Sequence, residues 1–490
     1  MHQQNSCKPA ADTSHQVTIT ELSGARRSLH AINPAGVLCA SLDAVAPAAQ
    51  AEETATFPYT ELEQPYHVFP KGLKRFLVGV IGVAGLFSGL SSNIYFPSLD
   101  AIAKDLNVSI DAVSLTITSY LVIQGVSPLL WGSLSDTVGR RPIYIASFTV
   151  YIISNIVLSL SPNFTTLLIF RGLQAAGSAS TVSIVIIMVI LFLPETLRSI
   201  AGNGSLRLTG IYKPLVARFT VEPPYMQDPD ETVQRKKVTV ITFIEPLRLL
   251  VEKDIVLNLL FGGVVYAIWS MVTSSTTGLF KSRFGLNELL LGLAFLPNGC
   301  GTIVGSAMVG KLMTRDYKAA EVAYKIAHSL PPSHKLPAKN IPADFPIEHT
   351  RLRNLPWIAS LFAVSTAAYG FSLADPTLTS KPGWIVVPLF LQFLIAAMSN
   401  AVFALNQTLV SDLCPGKGAS STAINNLVRC GLGAVGVAFV ETMITNLGPA
   451  WAFLGLALIT VTMTPLAAVN WFWGQQWRAA RTERKAKIEE

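Results

Sequence analysis

The stretch GSLSDTVGRRP, from Gly132 to Pro142, joins two long apolar runs of the chain. The run before it covers residues 113–133, and the run after it covers residues 142–160. Each run contains about 20 mostly apolar residues, which is the length that crosses the hydrocarbon core of a bilayer as a helix. The sequence therefore predicts two membrane helices here, connected by a short turn.

Similar runs occur along most of the chain. Half of the 490 residues are hydrophobic and 14% are charged, whereas soluble proteins carry about 25% charged residues. A bilayer offers no water to backbone groups, and the alternating pattern of a membrane β-barrel is absent from the sequence, so helices are expected. We predict an all-α polytopic membrane protein with about ten spans, at residues 76–96, 113–133, 142–160, 167–193, 255–276, 289–309, 355–373, 384–410, 419–444 and 449–471.

The spacing of these spans predicts five regions. An N-terminal bundle of four spans is separated from a C-terminal bundle of six spans by a long polar connection, and a tail flanks each bundle. The regions are a disordered cytosolic tail (1–70), the N-terminal bundle (71–193), a central cytosolic loop (194–254), the C-terminal bundle (255–473) and a basic cytosolic tail (474–490).

Lys and Arg in the short connections predict the orientation. With the N-terminus inside the cell, 19 of these residues lie on the cytosolic side and 4 on the other. Both termini are then cytosolic, and the net charge of +7 is explained by topology and contact with anionic lipid, so no nucleic-acid partner is predicted. Asn107, in the sequence Asn-Val-Ser, becomes a candidate glycosylation site on the outer face.

No pattern indicates an enzyme, a cofactor or a metal. The five cysteines lack CxxC or zinc-site spacing, and the seven histidines are dispersed. The sequence contains no P-loop or HExxH motif. The bilayer itself and a small molecule are the partners that remain.

The turn between the second and third spans has a pattern of its own. Gly132 and Gly139 allow two helix ends to approach closely, and Asp136 can pair with Arg140 or Arg141, or with a neighbouring helix end. An ordinary positive turn explains the arginines but not the spaced glycines and the aspartate. The stretch resembles the signature turn of the major facilitator superfamily. In that family the turn is a cytosolic latch during alternating access, and the resemblance implies this role for these five residues.

A second pattern is LLIFRGLQAAGSAS, from Leu167. An arginine inside a span costs about 2.5–3.5 kcal/mol on insertion scales, so Arg171 is expected to face protein or a wet cavity, unless it snorkels to the outer surface. Gln174 lies three residues on, along the same helix face. The string is similar to the fourth-helix motif of the family, whose arginine and glutamine are associated with proton coupling in antiporters. Ala175 stands where the family has glycine.

Three further strings resemble fungal members of the 12-spanner drug:proton antiporter branch of that family. They are LPETLRSIAGNGS from Leu193, SSNIYFPSLDAIAKDLN from Ser91 and GKGASSTAINNLVRCGLGAVG from Gly416. In the last string Asn425, Asn426 and Arg429 are polar residues on an otherwise small and apolar helix. They either bridge neighbouring helices by hydrogen bonds or face a cavity or the interface between the bundles.

The chain departs from the family between its fourth and sixth helices. Arg171 and Pro194 are 23 residues apart, whereas the family places the fifth helix and parts of two others between the matching residues. Residues 167–193 therefore look like the front of helix four fused to the back of helix six, which leaves an incomplete N-terminal bundle. Either the chain is a degenerate or mis-spliced product, or the bundle has repacked; repacking must replace a large buried surface, which favours the first.

The resemblance implies two bundles that rock around a site near the midplane. It implies proton-coupled export of small organic molecules or drugs, by a monomer in the plasma membrane or the vacuole. An organic-acid exporter or a uniporter is nearly as compatible, because two cavity arginines suit a carboxylate. The missing helices leave a rival hypothesis from another class, namely a non-transporting remnant, a sensor or a partner of an intact transporter.

Overall fold

The computed structural model is helical, and no β-strand occurs among the residues that it describes. Those residues are 71–76, 78–79, 95–178, 190–202, 206–219, 239, 243–331, 342, 344–414 and 418–489. The predicted tail 1–70 and the predicted junction between helices four and six (179–189) lie outside them, as does most of the first span.

The N-terminal half contributes four described helices. Helix α1 covers Leu99–Asp105, α2 covers Ile110–Val138, α3 covers Arg140–Ser159 and α4 covers Phe164–Ser178. Helix α2 begins after Ser109, whose hydroxyl accepts a hydrogen bond from the amide of Ala112 at 3.2 Å and satisfies one free donor of the first turn. Helices α2 and α3 confirm the second and third predicted spans.

The central connection and the C-terminal half contain the remaining helices. The short helix α5 (Arg198–Ala201) precedes the C-terminal bundle. The elements that follow in chain order are α6 (Lys253–Phe284), α7 (Glu288–Ala294), α8 (Leu296–Ala327), α9 (Ile347–Leu352), α10 (Leu355–Ala374), α11 (Pro376–Thr379), α12 (Val386–Leu413) and α13 (Gly418–Glu489).

Helix length and composition support a polytopic membrane protein. Seven helical stretches among the described residues are long and apolar enough to cross a bilayer. The last of them, α13, is interrupted at Gly448, where φ is +76°, and Pro449 follows. Since each side of this break is long enough to span, the seven stretches account for eight of the ten predicted spans.

The largest core lies inside the C-terminal half. Helices α8 and α12 approach closely, because a Cβ at Gly301 or Gly305 would collide with the carbonyl group of Phe393 or Ala397. A second, smaller cluster joins the N-terminal half to α13, where Val113 and Ile117 pack with Ala434 and Val437. The fully buried aromatic residues of the larger core include Phe261, Phe280, Phe362, Tyr369 and Phe453.

The end of α13 binds the ends of other helices through buried ion pairs. Arg478 donates from Nε to Glu348 of α9 at 2.8 Å, and this glutamate is 0% exposed. Arg478 also donates to the carbonyl oxygen of Phe345 at 2.6 Å. One turn on, Arg481 forms an ion pair with Asp254 of α6 at 3.0 Å. Two basic residues of the predicted C-terminal tail, Arg478 and Arg481, therefore stabilise the packing of the C-terminal bundle.

We expect Arg478→Gln to lower the stability of the purified protein markedly. Removing one partner of a buried pair leaves Glu348 without its counter-charge, which costs about 3–5 kcal/mol. Arg484→Gln is the matched control, because Arg484 is 65% exposed where it pairs with Glu252, and such pairs contribute about 0–1 kcal/mol. Thermal unfolding in detergent, followed by tryptophan fluorescence, measures both variants. Equal midpoints for the two variants would contradict the importance of the buried pair.

Candidate functional site

Arg171 lies between two tyrosine rings in the interior of the N-terminal half. Its guanidinium carbon is 4.1 Å from the ring centre of Tyr95 and 4.4 Å from that of Tyr120. The side chain is 3% exposed. Tyrosine faces attract a desolvated cation, so the two rings offset part of the cost of burying this charge. The sequence-based expectation that Arg171 faces protein agrees with this position.

Hydrogen bonds connect Arg171 to helix α3. Its Nη1 donates to Oε1 of Gln174, three residues along the same helix. The Nε2 of Gln174 donates to Oδ1 of Asn155 at 2.8 Å, and Asn155 in turn donates to the carbonyl oxygen of Tyr151 at 2.7 Å. The structure therefore brings the two predicted coupling residues together and fixes both against a neighbouring helix.

Arg429 occupies a similar aromatic setting in the C-terminal half. Its guanidinium carbon lies 4.5 Å from the ring centres of both Tyr266 of α6 and Phe403 of α12. Its Nη2 donates to Oδ1 of Asn426 at 2.7 Å. Its Nε is buried without an acceptor, and no carboxylate within the described ranges forms an ion pair with it.

Asn425, the third polar residue that the sequence analysis singles out on α13, has a different partner. Its Nδ2 donates to Oε1 of Gln407 on α12 at 2.6 Å. Asn425 is 4% exposed, and its contact joins two helices of the same half. The three polar residues of α13 thus divide into a helix-bridging asparagine and the Asn426–Arg429 pair.

The two arginine clusters are connected through the contact between α2 and α13. A Cβ at Gly125 of α2 would lie 3.2 Å from the Cβ of Cys430, and the Cys430 thiol is 3.8 Å from Oε1 of Gln124. Tyr120, which stacks on Arg171, is also an electrostatic neighbour of Tyr266, which stacks on Arg429. Cationic and aromatic groups from both halves therefore converge on one interior region.

The ring of Tyr266 also packs against Trp269. The ring centres of Tyr266 and Trp269 are 5.4 Å apart. The indole Nε1 of Trp269 donates to Oδ1 of Asn298 on α8 at 3.0 Å, and Asn298 donates to Thr273 at 3.2 Å. These hydrogen bonds fix the position of Trp269, and Trp269 in turn packs against the Tyr266 ring that Arg429 contacts.

The predicted latch turn, residues 132–142, is organised by a carboxylate from another segment. Both oxygens of Glu195 accept backbone hydrogen bonds at the start of α3, from the amide of Arg140 at 3.1 Å and that of Arg141 at 3.0 Å. Glu195 is 1% exposed and also accepts from the amides of Thr196 and Leu197. A carboxylate at a helix N-terminus is stabilised by free amides and by the helix dipole.

The two arginines and the aspartate of the latch turn have separate environments. Arg141 is buried, and its guanidinium donates to the carbonyl oxygens of Ile190 and Ile211. Asp136 and Arg140 are exposed. Glu195, from a segment 54 positions away, is a carboxylate beside Arg141, and it accepts the backbone amide of that residue. Pairing of Asp136 with an arginine of the turn or with a neighbouring helix end stays a prediction from the sequence.

Sequence reasoning missed the tyrosines and the role of Glu195. Tyr95, Tyr120 and Tyr266 are polar aromatic residues in apolar surroundings, and this composition was the available signal. Their stacking on two arginines depends on contacts between helices, which no local pattern encodes. Glu195 stands in the string LPETLR, and nothing in that string indicates its contact with the amides of Arg140 and Arg141.

Two other predictions concern the remaining candidate residues. Asn107 is exposed, with φ at +50°, three residues before α2 begins, and its glycosylation stays a prediction. No group of three or more metal-ligating side chains occurs within the part of the chain that the structure describes.

Comparison with known proteins identifies the family. A family model described as Major Facilitator Superfamily matches residues 81–212. Citrate exporter 1 of Aspergillus niger is 40% identical to this chain, and the match covers 86% of this chain and 90% of the exporter. The chain belongs to the major facilitator superfamily. It is thus a multi-pass membrane transporter, in agreement with its helices.

A further fungal relative matches at lower identity, and a solved structure aligns at lower identity still. The MFS antiporter QDR2 of Candida albicans is 26% identical, with 78% of this chain and 85% of the antiporter covered. A crystal structure of the human organic anion transporter MFSD10 aligns with 81% of this chain and 100% of its own, at 13% identity and a TM-score of 0.43.

The alignment with the citrate exporter also contains positions of the relative that have no counterpart in this chain. The alignment with the citrate exporter has 482 positions, but 86% of the 490-residue chain is only about 420 residues. About 60 positions of the relative therefore lie opposite gaps, which is the length of two membrane helices with a connection. This agrees with an incomplete N-terminal bundle and ten spans.

The glycines of the latch turn provide a matched test of its geometry. At Gly139 φ is +116°, and an added Cβ would lie 2.7 Å from Oε2 of Glu195. At Gly132 the nearest atom is 3.9 Å from an added Cβ. We expect Gly139→Ala to lower the thermal unfolding midpoint, since this backbone region costs other residues about 1–3 kcal/mol. Gly132→Ala is expected to match the parent protein, and a reversed order of the two midpoints would contradict the described turn.

Proposed function

We propose that this transporter exports an organic acid anion in exchange for protons, by alternating access of its two halves. The observation that carries the proposal is Arg429. Its guanidinium rests on Tyr266, which packs against the cluster that joins the two halves, and within the described residues it has no carboxylate partner. A half-buried cation without a counter-charge among the described residues favours an anionic ligand, and a carboxylate pairs with guanidinium groups through two hydrogen bonds.

Arg171 offers a second cation in the same interior region. In this proposal one carboxylate of a di- or tricarboxylate pairs with Arg429, whereas a neutral molecule would leave the charge of Arg429 without a counter-charge. The tyrosine hydroxyls around Arg171 add hydrogen-bonding groups for an oxygen-rich ligand. The 40% identical relative is named as a citrate exporter, which supports a polycarboxylate as the substrate class.

Proton coupling is proposed for Arg171 and Gln174. Gln174 is hydrogen-bonded to Arg171 on one side and to Asn155 of α3 on the other. A change in the partner of Arg171 is therefore transmitted to a helix that begins at the latch turn. In this proposal the latch turn closes the cytosolic side, both termini are cytosolic, and the protein acts as a monomer in the plasma membrane.

A second candidate function is proton-coupled export of aromatic drugs. The observation that favours it is the set of aromatic faces around the two arginines, which offers stacking surface to flat organic molecules. The relative QDR2 is named as an MFS antiporter, which supports exchange as the mode of transport. Buried positive charge makes this candidate less favourable for cationic drugs.

Flux in proteoliposomes tests the proposal. We expect purified protein to move radiolabelled citrate when a pH gradient is imposed, and Arg171→Gln or Arg429→Gln to reduce the rate at least about tenfold, because each loses a charge-assisted hydrogen bond of about 1.5–3 kcal/mol. Lys381→Gln removes one exposed positive charge from a loop and is expected to keep the parent rate.

Two results would contradict the proposal in different ways. Flux no greater than that of empty liposomes, for citrate and for drugs, would indicate a non-transporting protein, as expected if the missing helices are essential. Flux of a drug without flux of citrate would reject the organic acid and support the second candidate.

A further inference from the structure

Residues 206–219, with the sequence LRLTGIYKPLVARF, form a segment attached to the latch turn. The hydroxyl of Tyr212 donates to the carbonyl oxygen of Val138, the last residue of α2, at 3.0 Å. The amide of Leu215 donates to the carbonyl oxygen of Ile190 at 3.0 Å. The guanidinium of Arg141 donates to the carbonyl oxygen of Ile211. These contacts fix the segment beside the ends of α2 and α3.

The outer side of the 206–219 segment is strongly apolar. Phe219 is 86% exposed, and it follows directly on a helical turn, Val216–Arg218, that begins with another exposed apolar residue. Exposed apolar patches of this kind mark interaction sites, because leaving such area in water costs about 25 cal/mol per Å². The exposed large apolar residues of the segment are Ile211, Leu215, Val216 and Phe219.

The same segment carries only positive charge. Arg207, Lys213 and Arg218 are its ionisable basic residues, and it contains no Asp or Glu. Arg207 and Arg218 are exposed. The guanidinium of Arg218 also donates to the carbonyl oxygen of Gly210 at 2.8 Å, which folds the segment into a compact surface. Basic groups beside exposed apolar and aromatic groups are typical of surfaces that lie on an anionic membrane.

The position of the segment favours a lipid partner over a protein or nucleic acid. Helices α2 and α3 are both membrane spans by length and composition, and they meet at Gly139. A turn between two spans lies at the bilayer surface, where the apolar side chains can enter the headgroup region and the basic side chains can meet phosphates.

We propose that the 206–219 segment binds the headgroups of anionic phospholipids at the membrane surface. The apolar residues insert beside the ends of α2 and α3, and Arg207, Lys213 and Arg218 neutralise lipid phosphates. Since Arg141 and Tyr212 join the segment to the latch turn, bound lipid holds the latch turn in the arrangement described here. This lipid site is separate from the transport site and does not depend on the identity of the substrate.

Photocrosslinking of the full-length protein tests this site. Nanodiscs of phosphatidylcholine are prepared with a photoactivatable phosphatidylglycerol or with a photoactivatable phosphatidylcholine, and adducts are mapped by mass spectrometry after proteolysis. We expect phosphatidylglycerol adducts on 206–219 to exceed phosphatidylcholine adducts at least about tenfold, since several basic residues contribute together. Adducts on the exposed residues Ile153 and Ile156 of α3 report general lipid contact and are expected to be equal for both probes.

Charge variants make the test specific. The triple variant R207Q/K213Q/R218Q is expected to lose the preference for phosphatidylglycerol, and R207K/R218K is expected to retain it. The matched control K281Q/R283Q/K381Q removes three basic residues from other regions and is expected to behave as the parent protein.

Three results would overturn the proposal. They are equal adducts from the two lipids on 206–219, an unchanged preference in the triple variant, and absence of adducts on the segment while α3 is labelled. Size-exclusion chromatography shows whether the triple variant is folded. If it aggregates, the comparison of the two lipids on the parent protein decides the question.

Discussion

The constraint on which the rest of the structure depends is the placement of two arginines in the membrane interior. A guanidinium there loses its water, and the protein must replace that solvation. Arg171 is surrounded by Tyr95, Tyr120 and Gln174, and Arg429 by Tyr266, Phe403 and Asn426. Both arginines contact aromatic faces and neutral acceptors, and within the described residues the charge of Arg429 has no carboxylate partner. That charge is the physical reason to propose an anionic substrate.

Different interactions stabilise the helix ends in the two halves of the protein. In the N-terminal half, one carboxylate, Glu195, accepts the free amides at the start of α3. In the C-terminal half, Arg478 and Arg481 of α13 bind carboxylates of α9 and α6 through buried ion pairs. The contacts at the start of α3 are therefore hydrogen bonds to backbone amides, whereas those at the end of α13 are ion pairs between side chains.

The sequence was sufficient for the features that depend on one helix or on run length. Apolar runs of about 20 residues located α2, α3, α6, α10 and α12, and the three-residue spacing of Arg171 and Gln174 predicted that they would lie together. It was insufficient for features that depend on distant segments. Glu195 reaches the latch turn from 54 residues away, and Asn425 turned towards Gln407 because α12 packs against that side of α13.

The central claim is that Arg171 and Arg429 form an anion site, and equilibrium binding tests it most directly. Binding of radiolabelled citrate to the purified protein in nanodiscs is measured for the parent protein and for each arginine-to-glutamine variant. The account predicts saturable binding that weakens at least about tenfold in either variant, since a charge-assisted hydrogen bond contributes about 1.5–3 kcal/mol. Binding equal to that of protein-free nanodiscs, or unchanged affinity in both variants, would contradict it.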